Sequence, residues 1–151
     1  MIATGENIHA TAIVTGTIGL LFTGPSGSGK SALAFACLAE ARQLGLFAAL
    51  VSDDRVIVSE HNGRLIGHRP PQIRDLIELR HGGIATIESI AAATLHYAIL
   101  PVDDATAARL PPEGETLRLV AGGELPLIRI PRTIPAPYAF LDALISSRHS
   151  L

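Results

Sequence analysis

The chain has 151 residues, of which 48% are hydrophobic and 17% charged, and its formal net charge at pH 7 is −2. This length and composition predict a single globular domain, residues 1–151, and the small negative charge argues against a general nucleic-acid binder. The sequence contains no apolar run long enough to span a membrane and no signal peptide, and its single cysteine, Cys37, excludes an internal disulfide. We therefore expect a protein of the reducing cytoplasm with Cys37 in its core.

The first third of the chain alternates strands and a helix around a glycine-rich segment. Apolar runs predict strands over 8–14, 18–22 and 46–52, and an apolar face predicts a helix over 31–43. Because strand, loop, helix and strand follow one another with short connections, we expect the strands 18–22 and 46–52 to form a parallel pair.

The remainder of the chain is rich in strands and prolines. Residues 55–59 and 64–67 predict a hairpin that turns at His61-Asn62-Gly63, and a second hairpin is predicted from 116–120 and 125–130. Between them the patterns predict a helical turn over 72–76, a strand over 76–80, a helix over 88–93 and a strand over 95–102. A C-terminal helix is predicted over 135–148, with Leu141, Leu144 and Ile145 on its apolar face.

The segment between the strand 18–22 and the helix 31–43 has the pattern G-x-x-x-x-G-K-[ST] of a phosphate-binding loop. Its residues are Gly24, Pro25, Ser26, Gly27, Ser28, Gly29, Lys30 and Ser31. Glycines allow successive backbone N–H groups to approach phosphate oxygens, and the following helix adds the positive end of its dipole. Lys30, the only lysine of the chain, would reach the outer phosphates, and the Ser31 hydroxyl would bind Mg²⁺. The predicted fold class is therefore α/β, a P-loop nucleotide-binding core with additional β-hairpins and a C-terminal helix.

Two adjacent carboxylates, Asp53 and Asp54, follow the strand 46–52, at the edge where open α/β sheets bind ligands. Adjacent side chains of an extended segment point in opposite directions. One carboxylate could therefore accept a proton from a hydroxyl nucleophile while the other orients metal, water or a loop. His9 is ambiguous on its own, because a lone histidine is more often structural or simply exposed.

These motifs together resemble the catalytic domain of the HPr kinase/phosphorylase family, over residues 5–145. His9 precedes Gly24 by 15 residues, as the catalytic histidine of the family precedes its phosphate loop. Val51-Ser52-Asp53-Asp54 is similar to the Asp-Asp strand end of the family, and residues 70–84 are similar to its Glu-x-Arg-Gly-x-Gly-Ile signature. Arg109-Leu110 before Glu113-Gly114-Glu115 is similar to the arginine-containing loop that follows.

The resemblance implies an ATP- and Mg²⁺-dependent protein-serine kinase that acts on the phosphocarrier protein HPr. It implies that Asp53 is the general base, with Asp54 as the second choice, and that His9 lies near Asp53 and tunes it. Lys30 would stabilise phosphoryl charge, Ser31 and Glu78 would hold Mg²⁺, and Arg80 and Arg109 would contact phosphate or the partner. The family forms hexamers, so a homo-oligomer is expected by analogy.

The sequence also departs from the family pattern. It looks like a short form without the family's N-terminal domain, and its signature contains Arg80-His81-Gly82-Gly83 in place of Arg-Gly-x-Gly. Residues 130–135 show no clear match to the Gly-Arg-Asn stretch linked to dephosphorylation, so the resemblance supports the kinase more than the phosphorylase. Two alternatives remain open: a nucleotide-binding regulator of the same fold that does not turn over, and a small-molecule P-loop kinase.

Overall fold

The computed structural model describes residues 5–119 and 122–149, which form twelve strands and two helices. In chain order these are β1 (Glu6–Ile8), β2 (Thr11–Thr15), β3 (Ile18–Phe22), α1 (Lys30–Gln43), β4 (Ala48–Ser52), β5 (Val56–His61), β6 (Arg64–His68), β7 (Leu76–Leu79), β8 (Gly83–Thr86), β9 (Ala92–Leu95), β10 (Tyr97–Val102), β11 (Thr116–Arg118), β12 (Glu124–Pro131) and α2 (Pro137–His149).

A six-stranded sheet with the order β11-β12-β10-β3-β2-β4 forms the centre of the fold. Strand β10 pairs in parallel with both β3 and β12, whereas β2 pairs antiparallel with β3 and β4. A four-stranded antiparallel sheet has the order β1-β5-β6-β9, and β7 and β8 form a separate hairpin. The β3, β10 and β12 strands therefore end at the same edge of the central sheet, where open α/β sheets place their ligands.

Side chains of the central strands alternate between two apolar layers. One layer packs Ile13, Leu20 and Phe22 against both helices, including Leu38 of α1 and Leu141 of α2. The other layer packs the opposite face of the same strands against the four-stranded sheet. The central sheet is thus covered on both faces, which explains why β2, β3, β4 and β10 are almost entirely buried.

Several predicted elements are confirmed, some within a residue or two. Strand β3 and helix α1 occupy the predicted positions, and β5 and β6 form the predicted hairpin around Asn62-Gly63. Both turn residues have a positive φ, as a two-residue hairpin turn requires. The hairpin of β11 and β12 and the C-terminal helix are also confirmed, although Val120 lies outside the described residues. Cys37 is buried in the core as expected, and burial raises the pKa of its thiol to about 12.

Five predictions about the fold are wrong or incomplete. Strands β3 and β4 are not paired, because β2 lies between them and is antiparallel to both. The predicted strand 8–14 is divided, since β1 joins the four-stranded sheet and β2 the central one.

The remaining differences concern helical predictions. Residues 88–93 are extended, because their backbone bonds to Leu50 in β4, and residues 72–76 contain no helical turn. Within α2, Leu141 and Ile145 are buried as predicted, but Leu144 is exposed.

Candidate active site

A cavity of about 320 Å³ lies at the edge of the central sheet where β3 and β4 end. Its walls are the glycine-rich loop (residues 24–29), the start of α1, the turn after β4 and the end of β7. The predicted site residues that line it are His9, Ser26, Gly27, Gly29, Lys30, Ser31, Asp53, Asp54, Glu78 and Arg80. The fold therefore brings together most of the side chains that the sequence analysis selected from distant segments.

The glycine-rich loop follows β3 directly and leads into α1. Gly24, Gly27 and Gly29 have φ values of 121°, 82° and 99°, which L side chains rarely adopt. Gly29 also caps the helix without a side-chain hydrogen bond, and the first turn of α1 contains no acidic residue. The free N–H groups and the dipole of this helix end suit an anion. Ser28 adds a buried hydroxyl oxygen that has no hydrogen-bond partner in the described part of the chain.

Lys30 is buried at the first position of α1, and its side chain folds back over the loop. Its Nζ donates hydrogen bonds to the carbonyl oxygens of Gly24 at 2.8 Å and Pro25 at 3.0 Å. Burial lowers the pKa of the Lys30 ammonium, and the carboxylates of Asp54 and Asp53 oppose this effect. The ammonium is therefore held at the mouth of the loop, where a phosphate group would meet it.

Asp53 is the buried member of the carboxylate pair, with 6% of its surface exposed. Its Oδ1 accepts hydrogen bonds from the Thr11 hydroxyl at 2.8 Å and the Ser31 hydroxyl at 2.7 Å. Its Oδ2 accepts a third bond, from the backbone N–H of Glu78 at 2.9 Å. Asp53 thus connects β2, α1 and β7, and its oxygens have little capacity left for a reacting hydroxyl.

Asp54 is the exposed member of the pair, with a side chain that is 64% exposed. The backbone N–H of Arg55 donates to the carbonyl of Asp53 across Asp54, which has a φ of 71°. This is the pattern of a γ-turn with positive φ, a rare and strained conformation for a residue other than glycine. The turn directs Asp54 toward His9, whose Nδ1 lies 3.1 Å from its Oδ1.

The resemblance implied that His9 lies near Asp53. The two residues line the same cavity, but the carboxylate that His9 contacts is that of Asp54. The reason is the left-handed turn at Asp54, which the extended geometry assumed for the sequence does not include. Thr11, the partner of Asp53, was missed altogether. Its position two residues after His9 is the signal that could have identified it, because such residues lie on the same side of an extended chain.

The hairpin of β7 and β8 provides the opposite wall of the cavity. The backbone N–H of Glu78 is fixed there by its bond to Asp53, and Glu78 lines the cavity together with Ser31. Arg80 lies against the loop, with its Nη2 at 3.4 Å from where a Cβ on Gly27 would be. The base of the hairpin is anchored by Ser89, which donates to the Asp75 carboxylate and accepts a bond from Arg69 at 2.6 Å.

Arg109 is a predicted site residue that the fold does not bring to the cavity. It lies on the exposed loop between β10 and β11, and it does not line the cavity. This loop follows β10, which β3 separates from β2 in the central sheet. Pro111 and Pro112 disfavour regular structure in the loop.

The chemistry of the donor atoms suits Mg²⁺ bound together with a nucleotide. Ser31 and Glu78 present oxygen atoms to the same cavity, and Mg²⁺ prefers one or two carboxylates completed by phosphate oxygens and water. Over residues 5–119 and 122–149 no cluster of three or more His, Cys, Asp or Glu side chains is arranged to hold a metal by itself.

Comparisons with known proteins identify relatives of the first two thirds of the chain. The profile of the family described as "HPr Serine kinase C-terminal domain" matches residues 1–95. An HPr kinase/phosphorylase of Clostridium tetani is 33% identical over 89 residues, which is 59% of this chain and 27% of that protein. An HPr kinase/phosphorylase of Pediococcus pentosaceus is 32% identical over 94 residues, 62% of this chain and 28% of that protein. The matched segments thus span about a quarter of the length of these relatives.

The fold as a whole is similar to a solved structure, the Hpr(Ser) kinase/phosphatase of Coxiella burnetii. The TM-score is 0.76 at 23% identity, and the similarity covers 95% of this chain and 96% of that one. The similarity extends to β10–β12 and α2, which the family profile does not reach. Among the described residues, neither helix is both long and apolar enough to cross a membrane.

Proposed function

Since the chain belongs to the HPr Serine kinase C-terminal domain family, we propose that it transfers the terminal phosphoryl group of Mg²⁺-ATP to a serine of HPr. The observation that carries this proposal is the convergence on one cavity of three elements: Lys30 in its loop, the Ser31–Asp53 pair and the Asp54–His9 pair. Phosphoryl transfer needs positioning and charge stabilisation more than covalent chemistry from the protein, and these three elements supply both.

The loop and Lys30 would bind the phosphates of ATP. The N–H groups at the start of α1 and the Lys30 ammonium would stabilise negative charge on the transferred group. Arg80, which already lies against Gly27, would neutralise further charge on the same side. We propose that Arg109 acts on the partner side of the site and contacts HPr, because its loop is exposed.

We assign the role of general base to Asp54 and a positioning role to Asp53. The serine oxygen would attack the terminal phosphorus, the bond from that phosphorus to the oxygen of ADP would break, and the serine proton would pass to Asp54. Asp54 lines the cavity with an exposed side chain, and the ring of His9 contacts its carboxylate. Asp53 would instead orient Ser31, which together with Glu78 would hold Mg²⁺. When bound, Mg²⁺ would neutralise charge on the transferred phosphate.

The test is intact-mass analysis of HPr from the same organism after incubation with this protein, ATP and Mg²⁺. We expect one phosphate to be added by the wild-type chain, and the rate to fall by a factor of about 10²–10⁴ in Asp54→Asn, which removes only the proton acceptor. Lys30→Ala should also lose transfer. Arg118→Ala is the matched control, because Arg118 is exposed, forms an ion pair with the exposed Glu124 and does not line the cavity.

The outcomes separate the possible functions. If the wild-type chain binds ATP but leaves HPr unmodified, the kinase proposal is contradicted and a nucleotide-binding regulator is supported. The altered Arg80-His81-Gly82-Gly83 segment is the reason for considering such a regulator. Full transfer by Asp54→Asn combined with none by Asp53→Asn would return the role of base to Asp53. Adding inorganic phosphate to phosphorylated HPr tests the reverse reaction in the same assay.

A further inference from the structure

Arg132 is an arginine beside the glycine-rich loop to which neither the sequence patterns nor the proposed function gives a role. It follows directly after β12, and its backbone N–H donates to the carbonyl of Val102 at 3.0 Å, which fixes it to the end of β10. Its Cβ lies 3.5 Å from the position that a Cβ on Gly29 would occupy. The side chain of Arg132 therefore starts beside the last glycine of the loop.

The guanidinium of Arg132 is held by one carboxylate. Its Nη2 lies 2.9 Å from Oδ2 of Asp103, and the two side chains are 44% and 43% exposed. An ion pair this exposed is weak, because water screens the charges and both side chains lose freedom. Arg132 can thus exchange Asp103 for a stronger partner without a large loss. Phosphate is such a partner, since the planar guanidinium matches two phosphate oxygens.

The position of Arg132 also complements that of Arg80. The guanidinium of Arg80 lies beside Gly27, and Arg132 lies beside Gly29, so the two arginines stand next to different glycines of one loop. The cavity also contains the carboxylates of Asp53, Asp54 and Glu78, which repel a nucleotide polyphosphate. Lys30 and Arg80 are the cations that line the cavity, and a third cation next to the loop would offset that repulsion.

We propose that Arg132 binds a phosphate group of the nucleotide and that Asp103 holds it in place until the nucleotide arrives. This inference rests on the proposed function, since it concerns the same site. In it, Arg132 and Asp103 act in opposite directions on nucleotide affinity: Arg132 contributes a charge-assisted bond, and Asp103 competes with the phosphate for the guanidinium.

The experiment is titration of the full chain with Mg²⁺-ATP by calorimetry, which measures affinity without turnover. We expect Arg132→Ala to weaken binding about tenfold or more, the amount that one charge-assisted hydrogen bond supplies. Asp103→Asn should tighten binding about two- to fivefold, because it releases the guanidinium from a weak pair. The asparagine keeps an oxygen for the backbone N–H of Ala105, so the turn after β10 is preserved.

Two controls isolate the contact from general effects. Asp104→Asn removes the same charge one residue away, and thermal unfolding of every variant checks the fold. The inference predicts that the gain from Asp103→Asn exceeds that from Asp104→Asn and disappears in the Arg132→Ala background. Three results would overturn it. Arg132→Ala could bind ATP as tightly as the wild type, or Arg132→Ala and Asp103→Asn could weaken binding equally. The gain from Asp103→Asn could also persist in the variant that combines it with Arg132→Ala. A wild-type chain that binds no ATP would overturn both this inference and the proposed function, whereas transfer to HPr with an unchanged Arg132→Ala affinity would overturn this inference alone.

Discussion

The two ends of the central sheet both carry a cavity, and the larger cavity is not the candidate active site. The cavity at the ends of β3 and β4 has a volume of about 320 Å³, whereas one of about 650 Å³ lies at the opposite end, between the starts of β3, β6 and β12. At the larger cavity, the backbone of Gly19 and the ring of His96 bond to each other, and Arg64 and Glu124 contribute opposite charges. At the smaller one, three carboxylates face a lysine, an arginine and a helix N-terminus.

The difference shows that charge and backbone conformation distinguish the candidate site better than volume does. Asp54 adopts a positive φ at the smaller cavity, and a residue other than glycine keeps such a conformation only where the surrounding structure enforces it. The polar groups of the larger cavity serve the fold instead. The Nδ1 of His96 accepts a hydrogen bond from the Gly19 N–H at 2.9 Å, and the backbone N–H of His96 donates to the Gly19 carbonyl at 2.8 Å. Substitutions at the two ends should therefore separate function from stability.

The largest effect on stability is expected at Asp53. Asp53→Ala would leave the Thr11 hydroxyl, the Ser31 hydroxyl and the Glu78 N–H without their acceptor, at a cost of about 3 kcal/mol or more in the free energy of unfolding. Asp54→Gly should instead raise stability by up to about 1 kcal/mol, because glycine accepts a φ of 71° without strain. Urea denaturation measures both, and a destabilised Asp54→Gly would contradict the view that Asp54 is strained for function.

The next prediction compares two glycines, one at each end of the central sheet. A Cβ on Gly19 would overlap the carbonyl oxygen of Thr94 where β3 crosses β9, so Gly19→Ala should cost about 2–3 kcal/mol through forced backbone shifts. Gly27→Ala meets only the flexible end of Arg80, so it should cost about 1 kcal/mol through its φ of 82° while it weakens ATP binding strongly. Thermal unfolding with and without Mg²⁺-ATP separates the two effects. Equal ATP affinity in Gly27→Ala and the wild type would show that the loop does not approach phosphate.

Local patterns predicted the parts of the structure that neighbouring residues determine. The glycine-rich loop, α1 and the hairpin at Asn62-Gly63 depend on short segments, and the sequence analysis placed them correctly. The position of β2 between β3 and β4 depends on long-range pairing, which no local pattern contains. The alanine-rich segment 88–93 favours a helix by propensity. Its backbone instead forms hydrogen bonds with the backbone of Leu50 in β4.

The candidate site, like the fold, could be predicted from the sequence only in part. Spacing along the chain and family resemblance selected nearly all residues that line the cavity. They did not show which aspartate is buried, because that depends on one γ-turn and on Thr11 from another strand. Arg132 was not selected for a similar reason: its contact with the loop arises only when β12 joins the sheet beside β10.

The larger cavity should respond to pH through His96. Burial lowers the pKa of His96, and Arg64 lowers it further, so the folded state favours the neutral ring that accepts the Gly19 N–H. As the pH falls below the unfolded value of about 6.5, the unfolded chain takes up the proton first and stability decreases. Contact with water keeps this slope below the one-proton limit of about 1.4 kcal/mol per pH unit.

His96→Asn is the informative variant for this effect, because it keeps an acceptor near Gly19 and cannot titrate. Its stability should decrease less than that of the wild type between pH 7 and pH 5, as measured by urea denaturation. His68 contributes a decrease of the same sign, since burial and then His61 lower its pKa, so the slope should be reduced and not abolished. Identical slopes in the two proteins would show that the ring bond to Gly19 does not contribute to stability.

The smallest effect is expected at Ser89, which connects the site to the rest of the fold through the base of the β7–β8 hairpin. Ser89→Ala removes the acceptor of the Arg69 guanidinium and of the Asp75 backbone N–H, and it removes the donor to the Asp75 carboxylate. These groups are partly accessible to water, so the loss should be only about 1 kcal/mol. Because the hairpin carries Glu78 and Arg80 into the cavity, the loosened base should raise the Mg²⁺ concentration needed for half-maximal transfer more than it lowers the maximal rate. Ser59→Ala, which removes a bond to His68 away from the hairpin, is the matched control. If both variants show the same Mg²⁺ dependence as the wild type, Asp53 alone suffices to hold Glu78 in position, and the distant anchor serves stability only.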